Sequence, residues 1–356
     1  MLIFDAHLDL AWNALEYNRD LTRPVAEIRE FEAAFDHAVP GPNTVAFPDM
    51  RRGGVGIAIA TLLPRLHRRD VPRTHYQSRE ASHAACMGQL AYYRAMEARG
   101  VLRLIPDRAA LDSHLADLQT GPRSDTPLGI ILGMEGSPGI LEPKAVHDWH
   151  ALGLRVLGPA HYGENPYCFG TGSEGGLKLV GRELFQEMNR AGLVLDATHL
   201  ADRSFWEALE IFDGPVIASH HNCRALIPGD RQLTDEQIEA LAARGAVIGL
   251  ALDDWMLHPG WKRGVSKAAE VSLEDAVNHT DHICQLLGTS RHCGIGSDLD
   301  GGFGKEQSPG DLDTIADLAR IAEILERRGY SADDVSGIMH GNYVGVFRRA
   351  WSGDGG

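Results

Sequence analysis

Six residues have the types and the placement to hold divalent metal: His7, Asp9, Glu135, His199, His220 and Asp298. The first two form a His-x-Asp pair within DAHLD. Residues two apart on a strand project from one face, so this imidazole and carboxylate would reach the same point. Glu135 lies in GMEGS, His199 in DATHL, His220 in IASHHN and Asp298 in GIGSDLDGG. Imidazole nitrogen and carboxylate oxygen are ordinary zinc donors. Three histidines and three carboxylates can support two zinc ions. A two-metal site needs a shared ligand, and a carboxylate has two oxygens to share. Glu135 is the residue we assign to that bridge. Such a site lowers the pKa of bound water towards about 7, which makes a bridging hydroxide available for hydrolysis. Taken singly, each of these residues reads as a hydrogen-bonded group at a strand end. Together, each closing an apolar run, they argue against coincidence.

Those runs are the elements that must position the ligands. They are Leu2–His7, Val55–Leu62, Gly129–Met134, Leu154–Leu157, Leu193–Thr198, Pro215–Ser219, Ala246–Ala251 and Cys293–Ser297. Helix-like stretches such as VGRELFQEMNRAG and TDEQIEALAARG separate them. Strands alternating with helices imply parallel βαβ units. Eight runs fit a (β/α)8 barrel, and a doubly wound sheet would show the same alternation. In a barrel the carboxyl ends of all strands converge on one mouth, where distant residues meet. Thr234 and Gln237 form a capping box before a helix that should stop at Gly245. The least regular stretch, at about 63–128, reads as an elaborated connection within one catalytic domain spanning 1–356.

His161, in AHYGENPY, falls at the mouth and could polarise a carbonyl or hold a developing oxyanion. Arg231, in PGDRQLTDEQ, could bind a carboxylate in bidentate fashion or pair with Asp235 at a helix start. His221 reads as a supporting or surface group beside His220. His37, His67, His75, His83, His114, His147, His150, His279, His282, His292 and His340 read as solvated or packing residues. Cys223, close to His220, is a weak candidate nucleophile and reads better as packing.

Composition excludes several classes. The chain has 356 residues, 44% hydrophobic and 23% charged, with a formal charge of -15. So acidic a chain suits neither nucleic acid nor an anionic membrane, because phosphates need Lys and Arg. Five scattered cysteines without a C-x-x-C pair argue against a disulfide framework or a zinc ribbon. No secretion leader, long apolar run or lipid-anchor tail is evident, so a cytoplasmic enzyme is expected. The oligomeric state stays open, a homodimer included.

The motifs in their order resemble the membrane dipeptidase family, peptidase family M19, of the amidohydrolase superfamily. DAHLDL, MEGS, AHYGENPY, GLKLVGRELFQEMNRAG, DATH, ASHHNCRALIPGDRQLTDEQI, GIGSDLDG and GNYVGVFRRAW carry the resemblance almost end to end. It implies a binuclear zinc barrel, with His7 and Asp9 on one ion, His199 and His220 on the other, and Glu135 bridging. It implies that Asp298 handles the proton of the attacking water, that His161 meets the substrate carbonyl, and that Arg231 binds the terminal carboxylate. The implied reaction is hydrolysis of a dipeptide, often with a D-residue at the carboxyl side. Alternatives are a binuclear amidohydrolase acting on a lactam, cyclic amide or N-acyl amino acid, and a non-catalytic metal-binding barrel. Two departures bear on the substrate. His221 stands where family members often have serine. The loop LDDWMLHPGW, at 252–261, has no confident counterpart and should shape the substrate pocket.

Overall fold

The computed structural model describes residues 1–34, 41–65, 76–120 and 126–352. His37, His67 and His75, most of the polar run GPRSDTP and the end of WSGDGG lie outside the described residues. The strands are β1 Ile3–Leu8, β2 Val55–Leu62, β3 Leu102–Leu104, β4 Leu128–Glu135 and β5 Leu154–Gly158, then β6 Val194–Asp196, β7 Val216–Ile217, β8 Ile248–Leu250 and β9 Cys293–Ile295. Eight of them run in the order β7-β6-β5-β4-β2-β1-β9-β8. Ala218 pairs in parallel with Ile248, and Gly249 N donates to the Ala218 carbonyl at 2.8 Å, which joins the two ends. The result is a (β/α)8 barrel. Helices Leu179–Ala191, Asp202–Ile211, Asp235–Ala243 and Leu273–Leu287 fill successive crossovers.

The ninth strand, β3, lies in the stretch read from sequence as an irregular connection. It pairs with the start of β4, Leu102 opposite Leu128 and Leu104 opposite Ile130. β5 takes the later residues of β4, from Leu132 to Glu135. Since β2 holds the other edge of β4, β3 and β5 share one edge in tandem.

The floor of the barrel is apolar. Phe4, Ile57, Ile59, Ile131, Val156 and Ile217 belong to one buried cluster. The helix Asn342–Ala350 closes it from below, with Tyr343 stacked 5.3 Å and Phe347 5.7 Å from the Phe4 ring. Tyr343 also explains a glycine in β9. A Cβ on Gly294 would stand 2.3 Å from Tyr343 Cε2, so a side chain there has no room.

Strand β1 is irregular where it matters. Asp5 pairs with Ala58 and Leu8 with Ala60, so β1 holds one residue more than β2 over this span. This is a β-bulge, which re-aims the side chains beyond it. Phe4 and Ala6 face the floor cluster, Leu8 packs in the outer layer, and His7 and Asp9 turn to the mouth. Regular alternation from Phe4 would have sent Leu8 inward instead.

The expected capping box at Thr234 forms with both of its hydrogen bonds, and Gly245 takes φ 69° after the helix. Among the described residues, no helix is long and apolar enough to cross a membrane.

Candidate metal centre

Each predicted ligand lies at the carboxyl end of its strand, and all six gather in one cluster. Asp5 fastens the first strand to the last. Its Oδ1 accepts from His7 N at 3.2 Å and Ser297 N at 2.9 Å, and its Oδ2 accepts from Ser297 Oγ at 2.5 Å. Residues 7 and 298 are thereby brought together, with His7 Nε2 3.8 Å from Asp298 Oδ1. His199 and Asp298 adopt φ of 66° and 56°. Left-handed backbone at a non-glycine residue costs about 1–3 kcal/mol and clusters where function holds it. Here both strained residues point a ligand into the cluster.

Glu135, the last residue of β4, sits at the centre. Its Oε1 is 3.2 Å from His199 Nε2 and 3.3 Å from His220 Nε2. Its Oε2 is 3.6 Å from His7 Nε2, which is 3.7 Å from Asp9 Oδ1. Donors about 2.1 Å from a tetrahedral zinc ion lie about 3.4 Å from one another. These separations fit a pair of metal half-sites that share Glu135. His7 Nε2 is buried with no hydrogen-bond partner, a costly state unless a cation fills it.

The outer nitrogens of the ligands are held. Thr171 Oγ1 lies 2.9 Å from His199 Nδ1, and Ser219 Oγ lies 2.8 Å from His220 Nδ1. Asp196 fixes Ser219 through Ser219 N at 2.9 Å and Ser219 Oγ at 2.5 Å. Thr61 Oγ1 bonds Asp9 Oδ1. Such outer contacts set ring orientation and tautomer at metal sites. Burial holds the His199 and His220 pKa values well below the usual range, and nearby cationic groups add to this, so both rings keep free lone pairs. Burial, then the charge of Asp9, pushes Glu135 and Asp298 well up. Carboxylates crowded in this way call for a compensating cation.

His161 and Arg231 flank the cluster. His161 Nε2 is 3.9 Å from Glu135 Oε2. Arg231 is buried, with Nη2 donating to the His220 carbonyl at 3.0 Å and Nη1 lacking a partner. The alternative pairing of Arg231 with Asp235 does not occur: Arg231 turns to the His220 carbonyl, and Asp235 bonds His282 at 2.8 Å. His221 is buried, not on the surface. Its backbone N donates to Gly249 O at 2.7 Å, and burial lowers its pKa well below the usual value. His114 and His279 are buried too, bonded to Gly56 O and to Cys223 N. Cys223 is buried, its thiol pKa raised by desolvation, so it is no nucleophile.

A cavity of about 510 Å³ opens over Glu135, His161, His199, Arg231 and Asp298. The 252–261 loop contributes Asp253, Trp255, Met256 and Trp261 to its wall, as expected, whereas Asp254 and His258 do not line it. Asp253 is held by Trp255 Nε1 and Gln307 Nε2, both at 2.7 Å, and burial raises its pKa to about 7. The sequence reading missed Asp196, Ser219, Thr171 and Thr61 behind the ligands, and Arg65, Arg263 and Gln307 on the cavity wall. Asp196 gave a signal, as a carboxylate inside the apolar run LVLDATH. The others gave none.

Fold and cluster together define a (β/α)8 barrel with a carboxylate-and-imidazole cluster at its mouth that could hold metal. A family model described as membrane dipeptidase (peptidase family M19) matches residues 1–352, and the chain belongs to that family. An uncharacterized dipeptidase of Schizosaccharomyces pombe is 30% identical over 238 residues, covering 64% of this chain and 54% of that protein. The chain spans about half the length of the curated dipeptidases it matches. Among solved structures, an M19 metallopeptidase described as a dipeptidase superposes with a TM-score of 0.80 at 24% identity, covering 99% of both chains. A metallopeptidase from Rhodobacter sphaeroides, liganded with a phosphinate mimic of L-Ala-D-Ala, superposes with a TM-score of 0.77 at 23% identity over 99% of both chains.

Proposed function

We propose that this chain is a metal-dependent dipeptidase holding two divalent ions, zinc being the ion its nitrogen and oxygen donors suit well. The observation that carries the reading is the division of Glu135, with one oxygen towards His199 and His220 and the other towards His7. In this reading His7 and Asp9 hold one ion, His199 and His220 the other, and Glu135 both. Two ions so held would polarise a scissile carbonyl and lower the pKa of a water towards neutrality.

The remaining steps belong to side chains of the cavity. Arg231 Nη1, buried without a partner, takes the terminal carboxylate of the substrate. That contact limits the enzyme to short substrates. The His161 ring donates to the carbonyl oxygen as negative charge develops there. Asp298 accepts the proton of the attacking water and passes it to the amide nitrogen as the carbon–nitrogen bond breaks. Family membership supports hydrolysis of dipeptides. The dipeptide mimic bound by the Rhodobacter sphaeroides neighbour is in keeping with tolerance for a D-residue at the carboxyl side.

The test is metal analysis of the purified protein together with turnover of L,L-, L,D- and glycyl-D-dipeptides. The expected result is about two equivalents of metal and hydrolysis of free-carboxylate dipeptides. Hydrolysis of lactams or N-acyl amino acids with none of any dipeptide would overturn the assignment.

A further inference from the structure

The cavity wall carries two cations that hydrolysis of a plain dipeptide does not use. Arg65 follows the end of β2, and Arg263 follows the 252–261 loop. The Arg65 guanidinium lies 4.1 Å over the Trp12 ring, and its Nε is buried with no hydrogen-bond partner. Arg263 Nη2 donates to the Gly302 carbonyl at 2.8 Å. The two groups meet at the turn after Asp298. A Cβ on Gly302 would stand 3.2 Å from Arg65 Nη2, and Gly302 has φ 97°, so glycine there leaves the space that Arg65 occupies.

Neither arginine makes an ion pair with a described residue. The chain carries 49 acidic residues against 34 basic ones, so partners are plentiful elsewhere. Arg328, for comparison, meets both Glu274 and Asp281. Glu135 and Asp298 feel the charge of Arg65, and Asp253 that of Arg263, but no carboxylate among the described residues is in contact with either guanidinium, so both can take a charge that arrives with the ligand. One carboxylate cannot serve them and Arg231 together. Arg65 is rooted on β2 and Arg231 beyond β7, and these strands stand opposite each other in the eight-strand ring.

We propose that Arg65 and Arg263 form a subsite for a second carboxylate, so that the preferred substrate is a dipeptide with an acidic side chain. This rests on the dipeptidase reading. Guanidinium binds carboxylate through charge-assisted, geometrically matched hydrogen bonds, and a neutral amide of the same shape loses them.

The experiment compares kcat/KM for Glu-Ala with Gln-Ala, and for Ala-Glu with Ala-Gln, in the wild type and in Arg65→Gln and Arg263→Gln. The acidic member of at least one pair is expected to be favoured about tenfold or more, and the pair that shows it locates the side chain. In each variant that ratio should fall towards one, with Arg65→Lys and Arg263→Lys restoring part of it. If Arg65 acted only as a counter-charge to Glu135 and Asp298, both members would slow equally and the ratio would persist, overturning the subsite. Equal rates for acidic and amide members in the wild type would overturn it too, while leaving the dipeptidase reading intact. Cleavage of no dipeptide would instead sink the dipeptidase reading, and the subsite with it.

Discussion

The two ends of the barrel interior are built from the same strands and obey opposite rules. At the floor, inward side chains are apolar or absent, and one aromatic pair, Tyr343 and Phe347, fills the space. At the mouth, the next inward residues of the same strands are imidazoles and carboxylates, buried against one another. The floor gains from every apolar contact. The mouth loses by desolvation and is maintained by Asp5, Asp196, Thr61 and Thr171, which hold the candidate ligands from behind. Stability and function are therefore drawn from different layers of one sheet, as the barrel architecture generally allows.

This contrast can be broken at four points. The largest effect is expected at Glu135. Glu135→Gln should lower bound metal below two equivalents and cut turnover by about 10³-fold or more, with any fall in melting temperature no larger than that of the wild type stripped of metal. Metal content by atomic emission, beside a thermal melt, decides it. Full metal retention would remove Glu135 from the bridge. Asp298→Asn comes next. It should keep metal yet reduce kcat by about 10²–10⁴-fold, the usual range for loss of a positioned acid–base group. Unchanged kcat would show that the proton travels elsewhere.

The floor should respond in the opposite way. Phe347→Ala is expected to cost about 3–5 kcal/mol of stability by leaving a cavity under Phe4. Its KM, measured below the melting transition, should stay near the wild-type value. A changed KM with an unchanged melt would mean that floor and mouth are coupled.

The last test concerns buried charge. Asp254 is buried with both carboxyl oxygens unpartnered, and burial, then repulsion from Asp253, raises its pKa to about 8. A raised acid pKa means that the folded state holds its proton longer than the unfolded chain. Stability is then unaffected below the unfolded value near 3.8, falls as pH climbs, and reaches its full penalty above about 8. Asp254→Asn should thus gain melting temperature relative to wild type from pH 5 to pH 8. A difference that is flat across that range would refute the assignment.

Much of this was legible in the sequence because a barrel strand is short and apolar and ends at the mouth. His7, Asp9, Glu135, His199, His220 and Asp298 each close such a run, so pattern alone placed them together. β3 escaped because three residues, Leu102–Leu104, give no measurable alternation. Ser219 and Thr171 escaped because a buried hydroxyl looks in sequence like any turn residue. Arg65 and Arg263 escaped because only tertiary structure reveals which arginines make no ion pair among the described residues. His221 reads in sequence as a supporting or surface group, and its burial follows from barrel closure through Gly249, a long-range pairing that no local pattern encodes.

The bulge in β1 has a consequence for how the chain tolerates change in length. A strand interior ordinarily rejects the loss of one residue, since every side chain beyond the gap turns to the other face. β1 already carries a surplus residue between Asp5 and Leu8. Removing Ala6 would return the strand to even alternation with Leu8 still opposite Ala60 and with His7 and Asp9 still inward. The strand that carries His7 and Asp9 thus has a position where a single-residue deletion is expected to leave both side chains facing the mouth. The bulge acts as a reserve of length, insulating the cluster at the mouth from an indel that would scramble a regular stretch such as residues 57–62 of β2 against β4.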